Sequence, residues 1–519
     1  MSKIVDFRLK FDDDLESYLK RNYSDMVDFR VLSKALDARG ANRGKSPSVN
    51  YKIEIAYPSD PFNKFSENYE KLGPLKDRPI IIGAGPAGLF CALRLIEYGV
   101  PSIIFERGDQ ANNRMKKIAR FWRYGEFDAE NNVCFGEGGA GLFSDGKLIT
   151  RIKSPYVQYV MNRFVDFGAP PETAYTSNPH LGSNKIRALI TTMTNYLKER
   201  GCEFHYNTRV DELMIDKKKC EGIKTSDGKV FKSPHVILAT GHSAKEMYFH
   251  INDQNISMKP KDFAIGVRIE HPRREIDKIQ YGEFASKELG AARYKLTYHN
   301  KSINKGTYSF CMCPGGYVLS SGTDADGLVV NGMSNYSRSS PWSNSALVVS
   351  IKAGVDFNEK ETLAGHFYQK EVEKKAYQLS VENASGREIP AQNLHDFLSG
   401  KRSKSLNKTS CPSGIFASNL NEILPKTVVD GLTNGLSSFD QKLGGFVSEK
   451  ALLLAPETRT SSPVTIIRDR EKLESISHEG LYPCGEGAGY AGGITSAAVD
   501  GVKVAMEILK KERPDHDFS

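Results

Sequence analysis

The sequence is 519 residues long, 39% hydrophobic and 26% charged, so it can form two or three domains with large cores. Its net charge of +8 permits contact with anionic ligands without requiring it, because no long run of lysine or arginine occurs. The eight cysteines are scattered, with no CxxC pair and no zinc-type His/Cys spacing, which excludes a small disulfide framework and predicts no metal site. No apolar signal core occurs and no apolar run approaches the ~18 residues of a membrane span, so we expect a cytoplasmic protein.

Residues 1–75 form a predicted N-terminal module of their own. Alternating apolar residues and an acidic helix start predict a strand, a helix and two further strands, over residues 4–11, 15–21, 27–36 and 49–55. The loop at 39–47 is basic and contains glycine, so this βαββ module is a candidate for binding a partner or nucleic acid. The alternative is an appended domain that packs on the main body or makes a dimer contact, and the absence of a clustered basic stripe weighs against RNA. Residues 58–74 supply the linker.

A βαβ unit with a dinucleotide fingerprint follows at residues 78–108. An apolar strand leads into Gly-Ala-Gly-Pro-Ala-Gly, a helix follows, and a second strand ends on Glu106. Gly83 permits the tight turn, Gly85 lets the backbone approach a diphosphate at the helix N-terminus, and Gly88 allows close helix–sheet packing. Glu106 is placed to accept hydrogen bonds from an adenosine ribose, which argues against a 2′-phosphate and so against NADP at this site. The cofactor-binding residues predicted here are Gly83, Gly85, Pro86, Ala87, Gly88, Glu106 and Arg107.

A second glycine-rich loop lies at residues 135–147, Phe-Gly-Glu-Gly-Gly-Ala-Gly-Leu-Phe-Ser-Asp-Gly-Lys. So many glycines imply close backbone approach to a flat or anionic group, and we predict that residues 138–147 wrap the ribityl chain and ring of a flavin. The alternative is a flexible surface loop, for which the phenylalanine and leucine residues would be poor choices. A strand with Val210 near the adenine and a return strand ending in Ala-Thr-Gly are typical of two-domain flavoproteins, and they favour FAD over NAD. The residues predicted to bind the cofactor in these segments are Gly138, Gly139, Ala140, Gly141, Lys147, Val210, Thr240 and Gly241.

The C-terminal region completes the same predicted domain. A strand ends at Gly485-Glu486 and a glycine turn opens a helix, so the acidic residue would bind a ribityl hydroxyl and the helix N-terminus would face the pyrimidine edge of the flavin. The residues predicted to bind the cofactor here are Gly485, Glu486, Gly492, Gly493 and Ile494. Between the two nucleotide-binding ends we predict a mostly β insertion with helices over 367–379 and within 420–439. Its predicted strands span 263–270, 292–297, 307–312, 317–320 and 327–331.

Together these motifs resemble the glutathione-reductase-like FAD superfamily, in the branch with a single nucleotide-binding domain. More closely, the chain resembles a family of largely uncharacterised FAD-dependent dehydrogenases with a small N-terminal module. The resemblance is carried by GAGPAG (83–88), FGEGGAGLFSDGKL (135–148), ATGHS (239–243), FAIGVRIEHP (263–272), FCMCPGG (310–316), NGMS (331–334), ETRTSSPV (457–464) and YPCGEGAGYAGGITSAAVDG (482–501). The expected fold is α/β, with a Rossmann-like FAD-binding domain at 76–258 and 455–519, an inserted mostly β substrate or cap domain at 259–454, and the α+β module at 1–75.

The resemblance implies FAD as the cofactor, and we expect an FAD-dependent oxidoreductase. It would act as a dehydrogenase or reductase that transfers hydride through flavin N5 to or from a small organic substrate. No second GxGxxG with a charged strand end occurs, so either the substrate itself gives hydride or NAD(P)H visits the flavin transiently. The alternatives are a flavoprotein that acts on or binds RNA, and a non-catalytic FAD-binding protein whose N-terminal module mediates assembly, for example into a homo-oligomer.

Two candidate substrate-site groups each carry a structural alternative. The Cys311-Met-Cys313 pair invites a redox-dithiol interpretation, but a CxC disulfide is strained and free cysteines at a strand end usually only pack. Cys313 is the better site candidate of the two. Arg459 lies in a Thr/Ser-rich turn, where it would either hold a substrate carboxylate bidentately or form a structural ion pair.

Three further polar residues are candidates for the flavin environment. His242, after Ala-Thr-Gly, and His180, within Asn-Pro-His-Leu-Gly, are candidate acid/base groups, although single histidines are more often structural. Lys147 would lie near flavin N1 or a pyrimidine oxygen, or would pair with Glu137.

Overall fold

The computed structural model of the protein describes residues 2–60, 62, 69–286 and 289–518. The N-terminal module is a three-stranded antiparallel sheet, ordered β1-β3-β2, with one helix packed on it. Its elements are β1 (Lys3–Lys10), α1 (Leu15–Asn22), β2 (Asp28–Asp37) and β3 (Ser48–Ala56). Leu19 of the helix packs with Ile53 and Ile55 of the central strand, which alternate with outward-facing residues. The predicted elements lie within one residue of these bounds, whereas the predicted linker at 58–74 lies partly outside the described residues.

The βαβ unit begins the second group of elements. The strands of this second group are β4 (Ile80–Ile82), β5 (Ile103–Phe105), β6 (Glu203–His205), β7 (Val210–Asp216), β8 (Lys219–Thr225), β9 (Val230–Lys232), β10 (Val236–Leu238) and β11 (Met258–Pro260). Its helices are α2 (Pro86–Glu97), α3 (Ala111–Tyr124), α4 (Tyr156–Asp166), α5 (Gly182–Glu199) and α6 (Lys245–Asp253). Strands β7, β8 and β9 form a small antiparallel sheet of their own.

The elements from β12 to β20, which we call the cap below, form the third group. Its strands are β12 (Phe263–Pro272), β13 (Thr297–Asn300), β14 (Lys305–Cys313), β15 (Tyr317–Ser320), β16 (Val330–Met333), β17 (Trp342–Ile351), β18 (Ile389–Asn393), β19 (Ile415–Ala417) and β20 (Leu452–Glu457). Its helices are α7 (Arg273–Tyr281), α8 (Ala364–Asn383), α9 (Leu394–Leu398) and α10 (Lys426–Lys442). The chain then returns to the second group of elements through β21 (Val464–Ile466), β22 (Leu481–Pro483) and α11 (Ile494–Glu512).

A five-stranded parallel sheet, ordered β22-β10-β4-β5-β6, joins the two ends of the nucleotide-binding domain. The three isoleucines of β4 are buried, as expected for a strand with covered faces at the centre of a parallel sheet. Helices α2 and α11 pack closely beside it, and a Cβ on Gly501 would lie 2.0 Å from the Ala87 carbonyl oxygen. The carboxyl ends of β4, β5, β10 and β22 lead into the predicted site motifs, which confirms the predicted α/β fold.

The cap is built on a seven-stranded sheet, ordered β13-β14-β17-β12-β20-β18-β19. The sequence pattern predicts no strand at β17, the first half of which is polar. In the structure, β17 lies between β14 and β12 in the sheet. Ser343 and Asn344 are nevertheless fully buried, since the Ser343 hydroxyl accepts from the Gly315 N–H at 3.0 Å and Asn344 accepts from an arginine. Strand β20 ends at Glu457, three residues beyond the predicted end of the inserted domain at residue 454.

The strand expected at 292–297 is wrong over most of its length, because β13 begins only at Thr297. The preceding N–H groups bond to side chains: Ala292 donates to the Asp277 carboxylate at 2.7 Å and Tyr294 to the Met312 sulfur at 3.1 Å. No helix within the described ranges combines the length and apolar composition that a membrane span requires.

Candidate functional site

The glycine turn between β4 and α2 brings a helix N-terminus to the edge of the sheet. Gly83 has a φ of +108°, and a Cβ there would lie 2.4 Å from the Ala239 carbonyl oxygen. A Cβ on Gly88 would lie 2.0 Å from the Gly83 carbonyl oxygen, so glycine lets the helix pack against the turn. At Gly85, in contrast, the nearest heavy atom to an added Cβ is Gly139 Cα at 3.9 Å, and Gly85 lines a cavity. The protein fold does not require glycine at position 85, whereas a ligand in the cavity would.

Glu106 connects three backbone segments at the end of β5. Its Oε2 accepts from the Ala84 N–H at 2.9 Å, and its Oε1 accepts from Gly108 and Gly136 at 2.9 and 2.8 Å. The side chain is buried but lines the cavity. A carboxylate has roughly four acceptor positions, so capacity remains for a ligand hydroxyl.

A buried arginine that no motif marks holds the second glycine-rich loop. Arg114 of α3 donates to several loop carbonyl oxygens, including that of Glu137 at 2.6 Å. A Cβ on Gly136 would lie 2.3 Å from Arg114 Cδ, so glycine makes room for this side chain. The loop also bonds to the nucleotide turn, because the Gly138 N–H donates to the Ala84 carbonyl at 2.8 Å. The two glycine-rich segments are thereby held together on one side of the cavity.

A cavity of about 380 Å³ lies between the nucleotide-binding domain and the cap. Most of the predicted cofactor-binding residues line it: Gly83, Gly85, Pro86, Ala87, Glu106, Arg107, Gly139, Ala140, Gly141, Lys147, Val210, Thr240, Gly241, Glu486, Gly492, Gly493 and Ile494. Gly88, Gly138 and Gly485 lie outside this lining. Gly485 donates its N–H to the Asp500 carboxylate at 2.8 Å, and a Cβ there would meet Ala87 Cβ at 2.8 Å. Glycines predicted as one set therefore divide into ligand-facing and packing positions.

Glu486 and the N-terminus of α11 form the C-terminal wall of the cavity. In the part of the chain that the structure describes, the Glu486 carboxylate has no hydrogen-bond partner, and burial raises its pKa to about 7 against the opposing effect of Lys261. Helix α11 begins at Ile494, and both Gly493 and Ile494 line the cavity. The free N–H groups of its first turn therefore lie at the cavity wall.

The cap contributes Phe310, Cys311, Asn331 and Glu457 to the lining, and sequence reasoning missed three of these four. Arg268 of β12, fully buried, contacts the last three of these residues. Its Nε and Nη2 each donate to the Glu457 carboxylate at 2.6 Å, and it also donates to the Cys311 carbonyl at 3.2 Å and the Asn331 amide oxygen at 3.3 Å. A charged residue inside the apolar run FAIGVRIEHP was the available signal, because a buried charge needs a partner.

The structure favours Cys311 over Cys313 as a site residue. Cys311 lines the cavity, while Cys313 is fully buried in β14 and lies outside the lining. The position of the two side chains therefore does not support the predicted preference for Cys313. A β-bulge between Phe310 and Cys313 reverses the expected order, because it places one extra residue on this strand opposite β17.

Two other predicted residues already have protein partners. Arg459 donates from Nε and Nη2 to Glu373 at 3.0 and 2.7 Å and from Nη1 to Ser243 at 3.3 Å. It lines the cavity, but its donors are directed at these partners, which favours the structural ion pair, and the carboxylate-binding role stays a prediction. The His180 Nε2–H donates to the Tyr336 carbonyl at 3.0 Å outside the cavity lining, and burial lowers its pKa to about 4. This position does not favour the acid/base role of His180, which stays a prediction.

His242 and Lys147 do line the cavity. His242 is hydrogen-bonded through Nδ1 to the hydroxyl of the next residue at 2.8 Å, and burial lowers its pKa to about 4, so it is neutral at pH 7. The Lys147 ammonium donates to the Met312 carbonyl and lies 3.8 Å from the Asp145 carboxylate. The alternative pairing with Glu137 is wrong, because that carboxylate accepts from other groups.

The lining suits a long cofactor with an acidic diphosphate and hydroxyl groups, such as FAD. Gly85 leaves open space in front of a helix N-terminus, which is a favourable place for a phosphate. Glu106 retains acceptor capacity at one strand end, and Glu486 is an unpaired carboxyl at another. The N-termini of α2 and α11 both reach the cavity, so two helix dipoles favour negative charge there.

Two family models match this chain. One, described as "FAD-dependent protein, C-terminal domain-like", matches residues 262–460, and one described as "Glucose inhibited division protein A" matches residues 190–289. An uncharacterized protein from Clostridium beijerinckii is 39% identical to this chain, and the alignment covers 98% of each of the two proteins. Protein FixC from Escherichia coli K12 is 27% identical over 38% of this chain and 44% of its own length.

Among solved structures, the chain is similar to CtdE in complex with FAD, at 12% identity over 85% of this chain and 89% of that one, with a TM-score of 0.31. It is also similar to a flavocytochrome c3 fumarate reductase in an open conformation, at 11% identity over 86% of this chain and 79% of that one, with a TM-score of 0.33.

Proposed function

We propose that this chain, which belongs to the FAD-dependent oxidoreductase family that also contains its 39%-identical Clostridium relative, transfers hydride between flavin N5 and a small organic molecule. The family accounts for the cofactor, and the proposal concerns the reaction and the class of substrate.

The proposal rests on the fact that two different parts of the chain contribute residues to the cavity wall. The glycine segments that suit FAD belong to the nucleotide-binding domain, whereas Phe310, Asn331 and Glu457 belong to the cap. A cofactor bound along the glycine segments would therefore have cap side chains beside it, in a site enclosed by two domains. Such an enclosed site, with a few polar groups, is typical for small-molecule substrates.

Each part of FAD has candidate protein groups in this proposal. Glu106 would accept from the adenosine ribose, Gly85 and the α2 N-terminus would bind the diphosphate, and Glu486 would accept from a ribityl hydroxyl. When bound, FAD supplies a two-electron donor and acceptor at flavin N5. The α11 N-terminus at Gly493 and Ile494 would stabilise negative charge on the pyrimidine edge.

Three groups of the chain would manage charge and protons near the reacting atoms. Lys147 provides a cation, and neutral His242 provides a ring nitrogen that can accept or donate a hydrogen bond. Glu486, with a pKa of about 7, can hold or release a proton near neutral pH.

The first experiment is an absorbance spectrum of the purified full-length protein, followed by anaerobic addition of NADH or NADPH. We expect a bound-flavin spectrum, and rapid bleaching would identify a nicotinamide as hydride donor. If the flavin stays oxidised, candidate small molecules are tested as donors, and bleaching by one of them assigns that role to the substrate.

The hydride step is tested with a donor deuterated at the transferred position, under single-turnover conditions. A slower bleaching with the deuterated donor is expected. Reduction only by one-electron donors would contradict hydride transfer, and a colourless protein that cannot be reconstituted with FAD would contradict the whole proposal. The matched variant for reconstitution is Gly85→Ala, which should remain folded while binding FAD weakly.

A further inference from the structure

We infer that Cys311 and Cys313 form a redox-active dithiol that exchanges an electron pair with FAD held in the cavity. The inference rests on FAD binding and goes beyond hydride transfer to a small organic molecule, so either can fail without the other.

The β-bulge in β14 separates the positions of the two cysteines. Phe310 pairs with Ala346 of β17 and Cys313 pairs with Asn344, so Cys311 and Met312 together face a single residue of the partner strand. Cys311 consequently has a φ of +43° and lines the cavity, whereas Cys313 stays buried in the sheet. One thiol therefore lines the cavity, and the other is buried two residues further along the same strand.

Three donors hold the strained backbone of this bulge. Arg268 donates to the Cys311 carbonyl at 3.2 Å, the Cys313 S–H donates to the same oxygen at 3.3 Å, and Lys147 donates to the Met312 carbonyl. A non-glycine residue at positive φ is strained, and it persists where its surroundings determine it, most often at functional sites. The bulge is therefore a stable structure that presents Cys311 to the cavity.

The electrostatic surroundings make the two sulfur atoms different. The pKa of Cys311 is lowered by the adjacent Cys313 thiol and by the nearby cations of Lys147 and Arg268, which outweigh the opposing effect of burial. The pKa of Cys313 is raised by its interaction with Cys311 and by burial, against the opposing effect of Arg268, whose Nη1 lies 3.8 Å from the Cys313 sulfur. These opposite directions favour ionisation of Cys311, the thiol that lines the cavity, over Cys313, and a thiolate beside a thiol is the arrangement that favours thiol–disulfide chemistry.

The electron exchange balances with these two groups and FAD alone. The Cys311 thiolate and the Cys313 thiol form one S–S bond, and the S–H bond of Cys313 breaks. The two electrons released and the single proton pass to oxidised FAD, which gives the anionic reduced cofactor with no change in total charge. The α11 N-terminus is placed to stabilise that negative charge, and the reverse reaction reduces the disulfide. A disulfide between cysteines two residues apart is strained, and strained disulfides are the easily reduced, catalytic ones.

The first test measures the disulfide directly in the FAD-loaded full-length protein. Samples equilibrated anaerobically in oxidising and reducing glutathione buffers are quenched with acid, alkylated and analysed by peptide mass spectrometry. We expect the peptide with both cysteines to resist alkylation when oxidised and to carry two labels when reduced. Cys134→Ser, which alters a cavity-lining cysteine from another segment, should leave this result unchanged.

The second test counts electrons. Wild-type protein oxidised beforehand should consume about twice as much reductant per flavin as Cys311→Ser or Cys313→Ala, because only the wild type also contains a disulfide. Alkylation of both cysteines in every buffer, or equal reductant consumption by wild type and both variants, would overturn the inference. If a variant fails to bind FAD, the wild-type mass spectra still decide between the outcomes. Small-molecule turnover that persists without a disulfide would leave the proposed function intact.

Discussion

Single glycines in the nucleotide turn are required for different physical reasons. Gly83 is constrained by the protein, because both its φ and the Ala239 carbonyl exclude a side chain. Gly85 has a φ of −82°, which any residue adopts, and its surroundings within the protein leave room for a methyl group. One motif therefore contains a folding requirement and a binding requirement two residues apart, and substitution can separate them.

Gly83→Ala is expected to destabilise the FAD-free protein by about 2–4 kcal/mol, the sum of backbone strain and overpacking. Gly85→Ala is expected to keep the wild-type unfolding free energy but to weaken FAD binding about tenfold or more, which corresponds to about 1.4 kcal/mol. Denaturant unfolding and FAD titration measure the two quantities. Gly444→Ala, where an added Cβ meets nothing within 4 Å, is the control and should change neither. Equal FAD affinity of Gly85→Ala and wild type would refute the diphosphate position.

Glu486 gives a pH dependence whose sign follows from its burial. Its pKa rises from 4.5 to about 7 on folding, so between these values the native state binds more protons than the unfolded state. The stability contribution of the protonated carboxyl is thus fully present below about pH 4.5 and is lost as the pH rises through about 7. Solvent in the cavity screens the carboxylate, so we expect a loss of about 1–2 kcal/mol relative to Glu486→Gln.

The measurement is the unfolding free energy of FAD-free wild type and Glu486→Gln across this pH range. Parallel curves for the two proteins would show that the carboxyl titrates normally in the folded state.

At the scale of elements, the cap sheet depends on a buried ion pair between neighbouring strands. Arg268 of β12 and Glu457 of β20 share two hydrogen bonds at 2.6 Å and are almost fully removed from solvent. Because the arginine also contacts Cys311 and Asn331, the strand pairing and the cavity wall share one anchor. Loss of either partner leaves the other charge buried and uncompensated.

Glu457→Gln is expected to destabilise the protein by about 3–5 kcal/mol, because it leaves the Arg268 charge without its counter-ion. The control is Glu371→Gln, which removes an exposed pair with Lys375 and should cost less than about 1 kcal/mol. Chemical denaturation of the FAD-free proteins compares them. Similar small losses in both variants would contradict the importance of the buried pair.

At the scale of the whole molecule, the cavity joins segments that are far apart along the chain. Its lining begins at Ile82 and ends at Ala497, and it includes residues of the cap. The N-terminal module contacts the main body elsewhere, through the Lys34 N–H to the Tyr175 carbonyl at 3.0 Å and the Ser177 N–H to the Lys34 carbonyl at 2.9 Å. FAD should therefore stabilise the nucleotide-binding domain and the cap together, without direct contact with the module.

Hydrogen exchange of the protein with and without FAD checks this prediction. We expect slower exchange around residues 83–88, 136–141, 310–313 and 485–494, and unchanged exchange in β1, β2 and β3. At a free FAD concentration one hundred times its Kd, the gain is limited to about 2.7 kcal/mol. Protection confined to the βαβ unit, with none in the cap, would contradict a site shared by both domains.

Local sequence patterns were enough to predict the N-terminal module, the βαβ unit and most of the cavity-lining glycines. These features are encoded locally: period-two and helical patterns set the elements, and the glycine spacing with an acidic strand end lies within about thirty residues of chain. For the same reason, the motif resemblance sufficed to identify FAD and the α/β fold.

Which side chains of the cap face the cavity depends on contacts that form only in the folded chain. Cys311 replaces Cys313 because a bulge forms when β14 pairs with a strand that was not expected. Arg459 is occupied because α8 brings Glu373 to it, and Arg268 acquires its role because β20 lies beside β12. Partners so distant in sequence meet only after folding, and burial of their charges then decides which groups pair and which remain available to a ligand.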